Sequence, residues 1–488
     1  MSTAVPVEPP TYHSLDTSAA YANTTQNDDF GAPVLGDDLP EYGTLVPSGP
    51  VRSSTARLTS VPERTLPKEF TYKIESKGKP IVVLNILAPA AISKNIPTFS
   101  GQEPIKGNVR LSLDKPEAVQ SIVLSVAGSY ITGVEDEKTT FLRILHPLWA
   151  QGEDSRRIVP PGSSSEVVRS DAKLQGNYTW SFALDIPAEL TLPATNSGIV
   201  SFCPPQTFSE RTMHGSISYF VTVKVKRGRL RADYKIAVPI GYIPITRPPV
   251  FPPLRLISYR EGTPLLGPDI DPEGWLALEP VQIEGMLFKV RPVNVTCTLF
   301  VANPLSYTRG SVIPLYMRLT SESQQAVDLL RAPKAISVCL QRRIVFRVPQ
   351  KMLKNPENLH TTQGKDMRDI TGAVWWSPAQ VNDDTLSSEE HIRHVQGELH
   401  LGSDLKPSSA MPYFRIEYSV VLYPFSTIGL ETSGSEKHLL QEQKIEIVTS
   451  FAPGPRAVRA APPGYEADSN ALGLVEAPIG MLSSTGFL

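Results

Sequence analysis

The pattern Pro-Pro-x-Tyr occurs near both ends of the 488-residue chain, as PPTY at residues 9–12 and as PPGY at residues 462–465. Proline restricts φ to about −65° and favours extended geometry in the residue before it, so both segments are close to polyproline II before binding. Little ordering entropy is then lost on binding, and the tyrosine adds an amphipathic ring for a second pocket. This chemistry is typical of ligands for WW domains, whose aromatic groove holds the prolines. The predicted ligand residues are Pro9, Pro10, Tyr12, Pro462, Pro463 and Tyr465.

A third segment, LPEY at residues 39–42, is a weaker variant of the same pattern, with Leu39, Pro40 and Tyr42 as its ligand residues. Linked ligands raise avidity for a partner with several WW domains roughly 10²–10⁴-fold when flexible tails let them bind together. The alternative interpretation is that these segments are ordinary proline-rich, solvated tails, because a motif on its own stays a hypothesis.

Composition excludes several classes of protein. The net charge of −2, from 47 basic and 49 acidic residues, gives no general attraction to nucleic acid, and we expect no nucleic-acid partner. The N-terminal residues lack the charged start and apolar core of a signal peptide, and no stretch approaches the roughly 18 apolar residues of a membrane span. The cysteines, Cys203, Cys297 and Cys339, fit neither a disulfide framework nor a zinc spacing, so we predict buried free thiols in a cytoplasmic protein.

Short runs of alternating apolar and polar residues fill the region between the tails. In SISYFVTVKV the apolar side chains recur at every second position from Ile217 to Val225. Period-2 alternation interrupted by Gly, Pro and Asn predicts antiparallel strands with one buried face, and many such strands predict β-sandwiches. The best candidate helix is SQQAVDLLRAP at residues 323–333. The Ser-, Thr- and Pro-rich tails, residues 1–66 and 453–488, would bury too little surface to fold and are predicted to be disordered.

A proline-rich stretch, VPIGYIPITRPPVFPP at residues 238–253, divides the alternating region in two, because proline is excluded from central strands. We predict a stiff, extended linker there that continues to about Ala277. The run FSGQEPIKGNVRL before it is echoed by YTRGSVIPLYMRL after it, and ISYFVTV from Ile217 is echoed by IEYSVVL from Ile416. The offsets indicate a unit of about 200 residues that occurs twice.

Five segments together resemble the N- and C-terminal domains of arrestins: PTFSGQEPIKGNVRLSL, FALDIP, HGSISYFVTVKV, NPLSYTRGSVIPL and YFRIEYSVVLYPF. They are most similar to the fungal α-arrestins, also called arrestin-related trafficking adaptors. The resemblance implies an all-β fold of two tandem immunoglobulin-like β-sandwich (arrestin-like) domains with disordered N- and C-terminal tails, and no catalytic centre, cofactor or metal. The implied organisation is a tail with PPxY and LPxY at 1–66, an N domain at 67–245, a Pro-rich linker at 246–277, a C domain at 278–452 and a tail with PPxY at 453–488.

The resemblance also implies a function. The sandwiches would bind a plasma-membrane transporter or receptor as cargo, and the tails would bind a HECT-type ubiquitin ligase through its WW domains. The ligase would ubiquitinate the cargo and cause its endocytosis, with the adaptor contributing proximity alone. Such an adaptor is cytoplasmic and is recruited peripherally to the plasma membrane and endosomes. In this family the adaptor is itself ubiquitinated on an N-domain lysine, and the candidates are Lys94, Lys106, Lys115, Lys138 and Lys173.

A basic cluster in VKVKRGRLRADYK comprises Lys224, Lys226, Arg227, Arg229 and Arg231. Lys224 and Lys226 are predicted to lie opposite the valine face of their strand. The cluster favours peripheral contact with anionic headgroups or acidic cargo tails, at about 1 kcal/mol per basic residue near a membrane. The alternative is an ordinary solvated strand face and turn.

Two positions in VRSSTARLTS fit basophilic kinases, since Arg52 lies three residues before Thr55 and Arg57 lies three before Ser60. A phosphate on Thr55 or Ser60 would add about −1.5 to −2 charge and could create a 14-3-3 binding site that inhibits the adaptor. Arg-x-x-Ser/Thr is common in solvated tails, which is the alternative interpretation.

Other functions stay open as alternatives. EEHIRHVQGELH carries His391, His394 and His400, but partly exposed histidines around a strand start explain this pattern better than a metal site. VWWSP, with Trp375 and Trp376, is predicted to pack across a loop or to form a mobile insertion. No Gly-rich phosphate loop, nucleophile elbow or zinc box occurs, so we expect no enzyme. Within the fold, the alternatives are a scaffold for ambient-pH or receptor signalling and a retromer-like sorting subunit without ligase recruitment.

Overall fold

The structure, a computed structural model, describes residues 66–101, 103–132, 137–151, 173–194, 198–210, 215–228, 231–347, 363–377, 391–432 and 439–462. The N-terminal tail, apart from Leu66, and most of the C-terminal tail lie outside these stretches. The predicted site residues outside them are Pro9, Pro10, Tyr12, Leu39, Pro40, Tyr42, Thr55, Ser60, Arg229, Pro463 and Tyr465.

The strands of the first half form two sheets and a separate hairpin. The strands are β1 (Lys68–Ser76), β2 (Lys79–Ala88), β3 (Thr98–Ser100), β4 (Ile105–Glu117), β5 (Val119–Thr132), β6 (Glu137–Ala150), β7 (Leu174–Leu184), β8 (Leu190–Ala194), β9 (Gly198–Phe202), β10 (Phe208–Ser209), β11 (Gly215–Arg227) and β12 (Tyr234–Ile243). One sheet has the order β1-β2-β4-β7 and the other the order β3-β12-β11-β5-β6, with β10 paired to β11 and β8 to β9. Along β11 buried side chains alternate with more exposed ones from Ile217 to Val225, which confirms the period-2 prediction.

The second half also has two sheets. Its strands are β13 (Trp275–Ala277), β14 (Val281–Leu287), β15 (Arg291–Ala302), β16 (Ser306–Thr308), β17 (Val312–Ser321), β18 (Val338–Arg347), β19 (Gln363–Gly372), β20 (Val374–Trp376), β21 (His391–His400), β22 (Phe414–Leu422), β23 (Leu430–Thr432) and β24 (Gln441–Val448). One sheet has the order β20-β21-β17-β15-β14-β23, with β13 paired to β15, and the other the order β16-β24-β22-β18-β19. The fold is therefore all-β, as predicted.

The two halves repeat one strand arrangement. The order β3-β12-β11-β5-β6 of the first half has the same pattern as β16-β24-β22-β18-β19 of the second. Each contains a parallel pair at its start, in which Phe99 lies opposite Tyr242 in the first half and Tyr307 lies opposite Ile447 in the second. The predicted internal repeat is therefore confirmed by strand order and by pairing direction.

The region between the halves differs from the predicted extended linker. A helix, α1 (Pro253–Glu261), begins with proline, which is favoured in the first helical turn, and ends at Gly262 with φ of 69°. Strand β13 starts before the predicted end of the linker at Ala277 and pairs with β15. The predicted helix within 323–333 is confirmed as α2 (Gln324–Leu330). Among the described stretches, no helix combines the length and apolar character needed to cross a bilayer.

Aromatic and ionic contacts join the two halves. Phe208 of β10 and Phe414 of β22 pack with ring centroids 5.2 Å apart. Both terminal nitrogens of Arg342 in β18 donate to the Glu210 carboxylate, at 2.6 and 2.8 Å. Such paired bonds from a planar guanidinium fix orientation as well as distance. The sheets of the two halves are therefore held together by specific contacts.

Trp375 and Trp376 contradict the prediction of a loop or mobile insertion. They form strand β20 and are 1% and 8% exposed. Trp375 lies opposite Gly397 of β21, where a Cβ would be 2.5 Å from the indole ring. The sequence pattern failed here because three apolar residues are too short to show strand periodicity, while the space for the indole is provided by a distant glycine.

Candidate functional site

The basic cluster lies at the end of the β11–β12 hairpin. The exposed Lys224 and Lys226 alternate with buried valines, as predicted. Arg227 is only 12% exposed, and its guanidinium lies 3.8 Å from the centroid of the Tyr234 ring. Glu117, at the end of β4, pairs with Arg227 at 3.3 Å and with Arg231 at 3.1 Å. Part of the positive charge is therefore used to hold the hairpin to β4.

A second carboxylate, Asp233, lies in the turn of the same hairpin. It accepts a hydrogen bond from the backbone N–H of Arg227 at 3.0 Å and pairs with Lys224 at 3.2 Å. These hydrogen bonds, led by the one from the Arg227 backbone and helped by the charge of Lys226, lower the pKa of Asp233. Three of the described cations thus pair with two carboxylates, and the interpretation of the cluster as an anion-binding surface stays a prediction.

The three histidines of β21 do not converge. His391 begins the strand and His400 ends it, so roughly 30 Å separate them at about 3.3 Å per residue. His400 instead bonds the Glu398 carboxylate through Nε2, at 2.6 Å. This geometry gives the histidines separate surroundings rather than a shared site.

The cysteines divide into two groups. Cys297 and Cys339 are buried, and burial raises the pKa of their thiols to about 12 and about 11. Cys203 is exposed, which contradicts the prediction that all three are buried. It follows β9 in a segment without regular structure, where alternation gives no indication of which side chains face inward. Partial burial and then the charge of Glu189 raise the pKa of Cys203 as well.

The residues after β24 form a feature that the sequence did not predict. We call residues 451–462 the C-terminal strap. The guanidinium of Arg456 lies 4.5 Å from the centroid of the Phe451 ring. A cavity of about 20 Å³, room for a single water, separates the strap from α1 and β16. Residues from 453 to 461, which the sequence predicts to be part of a disordered tail, therefore make specific contacts that end at Ala461.

The strap ends on a buried carboxylate. Glu398 of β21 is 1% exposed, and it accepts the backbone N–H of Ala460 at 2.9 Å and that of Ala461 at 3.1 Å. Hydrogen bonds to a charged group contribute about 1.5–3 kcal/mol each, and a buried carboxylate requires such partners. Burial, with the Glu398 charge acting in the same direction and Arg255 against it, raises the pKa of Tyr259 in α1 to about 12.

The helix of the linker is fixed against the same side of the second half. Arg255 of α1 is 2% exposed and donates to the carbonyls of Asn303 at 2.7 Å and Gly274 at 2.6 Å. Its guanidinium also lies 4.9 Å from the centroid of the Trp275 ring. The linker helix and the strap are therefore both seated on the second half, and Pro462, the first residue of the PPGY segment, directly follows the seated part.

The fold and these surfaces define a class of protein with two tandem, arrestin-like β-sandwich domains. Residues 90–237 match the family model described as the N-terminal domain of arrestin, or S-antigen. The matched region begins after β2 and ends within β12, so it lies in the first half. A comparison with curated proteins found no match for this chain. Arrestin family members are in general non-enzymatic adaptors, and the domain supports an arrestin-like adaptor.

Proposed function

We propose that the protein is an α-arrestin-type adaptor that brings a HECT-type ubiquitin ligase to a plasma-membrane transporter or receptor. Its two Pro-Pro-x-Tyr segments bind the WW domains of the ligase, and its sandwiches bind the cargo. The ligase then ubiquitinates the cargo, which is internalised. The observation that carries this proposal is the pair of WW-ligand patterns on either side of the two β-sandwich halves, which together are called the body. The first half contains the match to the arrestin N-terminal domain.

Contacts between the two halves support this separation of cargo binding from ligase binding. The Arg342–Glu210 pair and the aromatic contacts hold the halves together, so the cargo surface keeps its shape while the tails bind elsewhere. Proximity of this kind raises the effective concentration of the ligase beside its substrate without any reacting group from the adaptor. The adaptor works in the cytoplasm and is recruited to the plasma membrane and endosomes.

The adaptor also presents lysines to a ligase held by its tails. All five N-domain candidates are exposed, so exposure alone does not select the acceptor among Lys94, Lys106, Lys115, Lys138 and Lys173. Lys138 differs from the others in that its Nζ lies 5.0 Å from the centroid of the Phe220 ring. The basic cluster and the 14-3-3 site at Thr55 or Ser60 remain part of the proposal as membrane contact and inhibitory control.

A binding assay with a tandem WW fragment of a HECT ligase tests the proposal. We expect Tyr12→Ala or Tyr465→Ala alone to weaken binding at least about 10-fold through lost avidity, and the double variant to lose most of it. Tyr21→Ala, in the same tail but outside the pattern, is the matched control and should bind like the unmodified chain. Undiminished binding by the double variant would remove the ligase-adaptor function.

A further inference from the structure

The C-terminal strap contacts the rest of the protein in its first part and again near its end. Before it, Ser450 donates its N–H to the carbonyl of Thr246 at 2.9 Å. Within it, Phe451 and Arg456 contribute to the wall of the small cavity beside α1. At its end, the carboxylate of Glu398 accepts two successive backbone N–H groups. The attachment therefore continues to the residue immediately before the PPGY segment.

Three hydrogen bonds satisfy the carboxylate of Glu398. Its Oε1 accepts the N–H of Ala461 at 3.1 Å and bonds Nε2 of His400 at 2.6 Å, while its Oε2 accepts the N–H of Ala460 at 2.9 Å. Removal of the strap would leave a buried carboxylate oxygen without that donor, which is unfavourable. The hydrogen bonds to Glu398 therefore favour the arrangement in which the end of the strap is bound to β21.

The binding of the strap to Glu398 affects the segment that the ligase must bind. Pro462 and the neighbouring Ala461 are both half-buried. A WW groove holds the prolines between aromatic side chains and so needs both prolines and their flanking backbone free of other contacts. The WW groove and the body therefore compete for residues 460–462.

We propose that the seat on Glu398 is a latch that restrains the C-terminal WW ligand, so that a ligase binds residues 462–465 only after the end of the strap leaves β21. This inference rests on the proposed function, since it assigns a regulation to one of its two WW ligands. The N-terminal ligand at residues 9–12 is not subject to this latch. The two ligands are thus unequal, and the first ligase contact is made by the N-terminal tail.

The test uses the full chain with Tyr12→Ala and Tyr42→Ala, so that only the C-terminal ligand remains. Its dissociation constant for a single WW domain is measured by calorimetry with and without Glu398→Gln. Because apparent affinity scales with the fraction of competent molecules, we expect Glu398→Gln to tighten binding about 5–10-fold. Glu284→Gln, on an exposed position of β14, is the matched control and should leave the affinity unchanged.

A second variant keeps the test decisive if Glu398→Gln lowers the stability of the fold. Ala460→Pro removes one donor of the latch without changing the buried carboxylate, and it should also tighten binding in the full chain. A synthetic peptide of residues 457–470, with and without the same proline, corrects for any direct effect on the WW domain. Equal affinities of the peptide and of the unmodified full-length ligand would overturn the latch while leaving the proposed function intact. Failure of the peptide to bind any WW domain would overturn the proposed function and the latch with it.

Discussion

The two halves share one strand order but differ in the segment that leaves their last strand. After β12 the chain enters the linker and α1, whereas after β24 it enters the C-terminal strap. The two segments contact each other at two threonines. The N–H of Thr246 donates to Oγ1 of Thr449 at 3.0 Å, and the N–H of Thr449 donates to Oγ1 of Thr246 at 3.2 Å. The two halves therefore share one strand arrangement and differ most in the segments that follow β12 and β24.

The largest effects are expected from two tyrosines at equivalent positions of the two halves. Tyr219 in β11 donates its hydroxyl to the carbonyl of Pro205 at 2.7 Å, and Tyr418 in β22 donates to the carbonyl of Lys406 at 2.8 Å. Each change to alanine should lower the free energy of unfolding by about 3–5 kcal/mol, because a large buried side chain is lost. Each change to phenylalanine should cost about 1–2 kcal/mol, because only the hydrogen bond is removed.

Urea denaturation of the four tyrosine variants measures these differences. Similar costs in both halves would sharpen the comparison, since equivalent positions would then have equivalent energies. A cost of less than about 1 kcal/mol for alanine in one half only would contradict the equivalence of the two positions.

A smaller effect is expected at the contact between the halves. Arg342→Ala would leave the Glu210 carboxylate without its partner, and the two side chains are 9% and 23% exposed. Since breaking a fully buried pair costs about 3–5 kcal/mol, we expect about 2–3 kcal/mol for this partly exposed pair. Lys224→Ala, which breaks an exposed pair, is the control and should change thermal unfolding far less. Equal effects of the two variants would show that Arg342 does not join the halves.

The smallest of these effects is expected from alkaline pH, which should lower the free energy of unfolding of both halves. Burial raises the pKa of Tyr219 and of Tyr418 above the ordinary value. The unfolded chain therefore releases these protons first, near pH 10, while the folded chain retains them, so the stability falls as the pH rises above about 10. Thermal unfolding between pH 8 and pH 11 measures the fall, which the phenylalanine variants should reduce. A transition temperature that is constant over this range would contradict the prediction.

Local sequence patterns predicted the strands because burial on one face of a sheet requires period 2, as Ile217 to Val225 show. They also predicted the repeat and helix α2. They could not predict the backbone bonds to Glu398, because Ala460 and Ala461 are 62 and 63 residues from it and alanine carries no sign of such a bond. The sequence does not predict helix α1, because a cluster of prolines favours extended chain and proline also starts helices.

The basic cluster shows the same limit. Its charges were visible in the sequence, but Glu117 comes from another strand, so its pairing with Arg227 and Arg231 could not be foreseen. The identification of the Pro-Pro-x-Tyr segments as WW ligands rests on sequence alone and stays a prediction, since a short polyproline II ligand needs no fold to be competent.

Ubiquitination of the adaptor itself tests the central claim most directly. In a reconstituted reaction with activating enzyme, conjugating enzyme and a HECT ligase that has WW domains, the unmodified chain and Tyr21→Ala should both be ubiquitinated on lysines of the first half. The variant with Tyr12→Ala and Tyr465→Ala should be modified at least about 10-fold more slowly, because the ligase is no longer held beside those lysines. Equal rates for this variant and the unmodified chain would contradict the account.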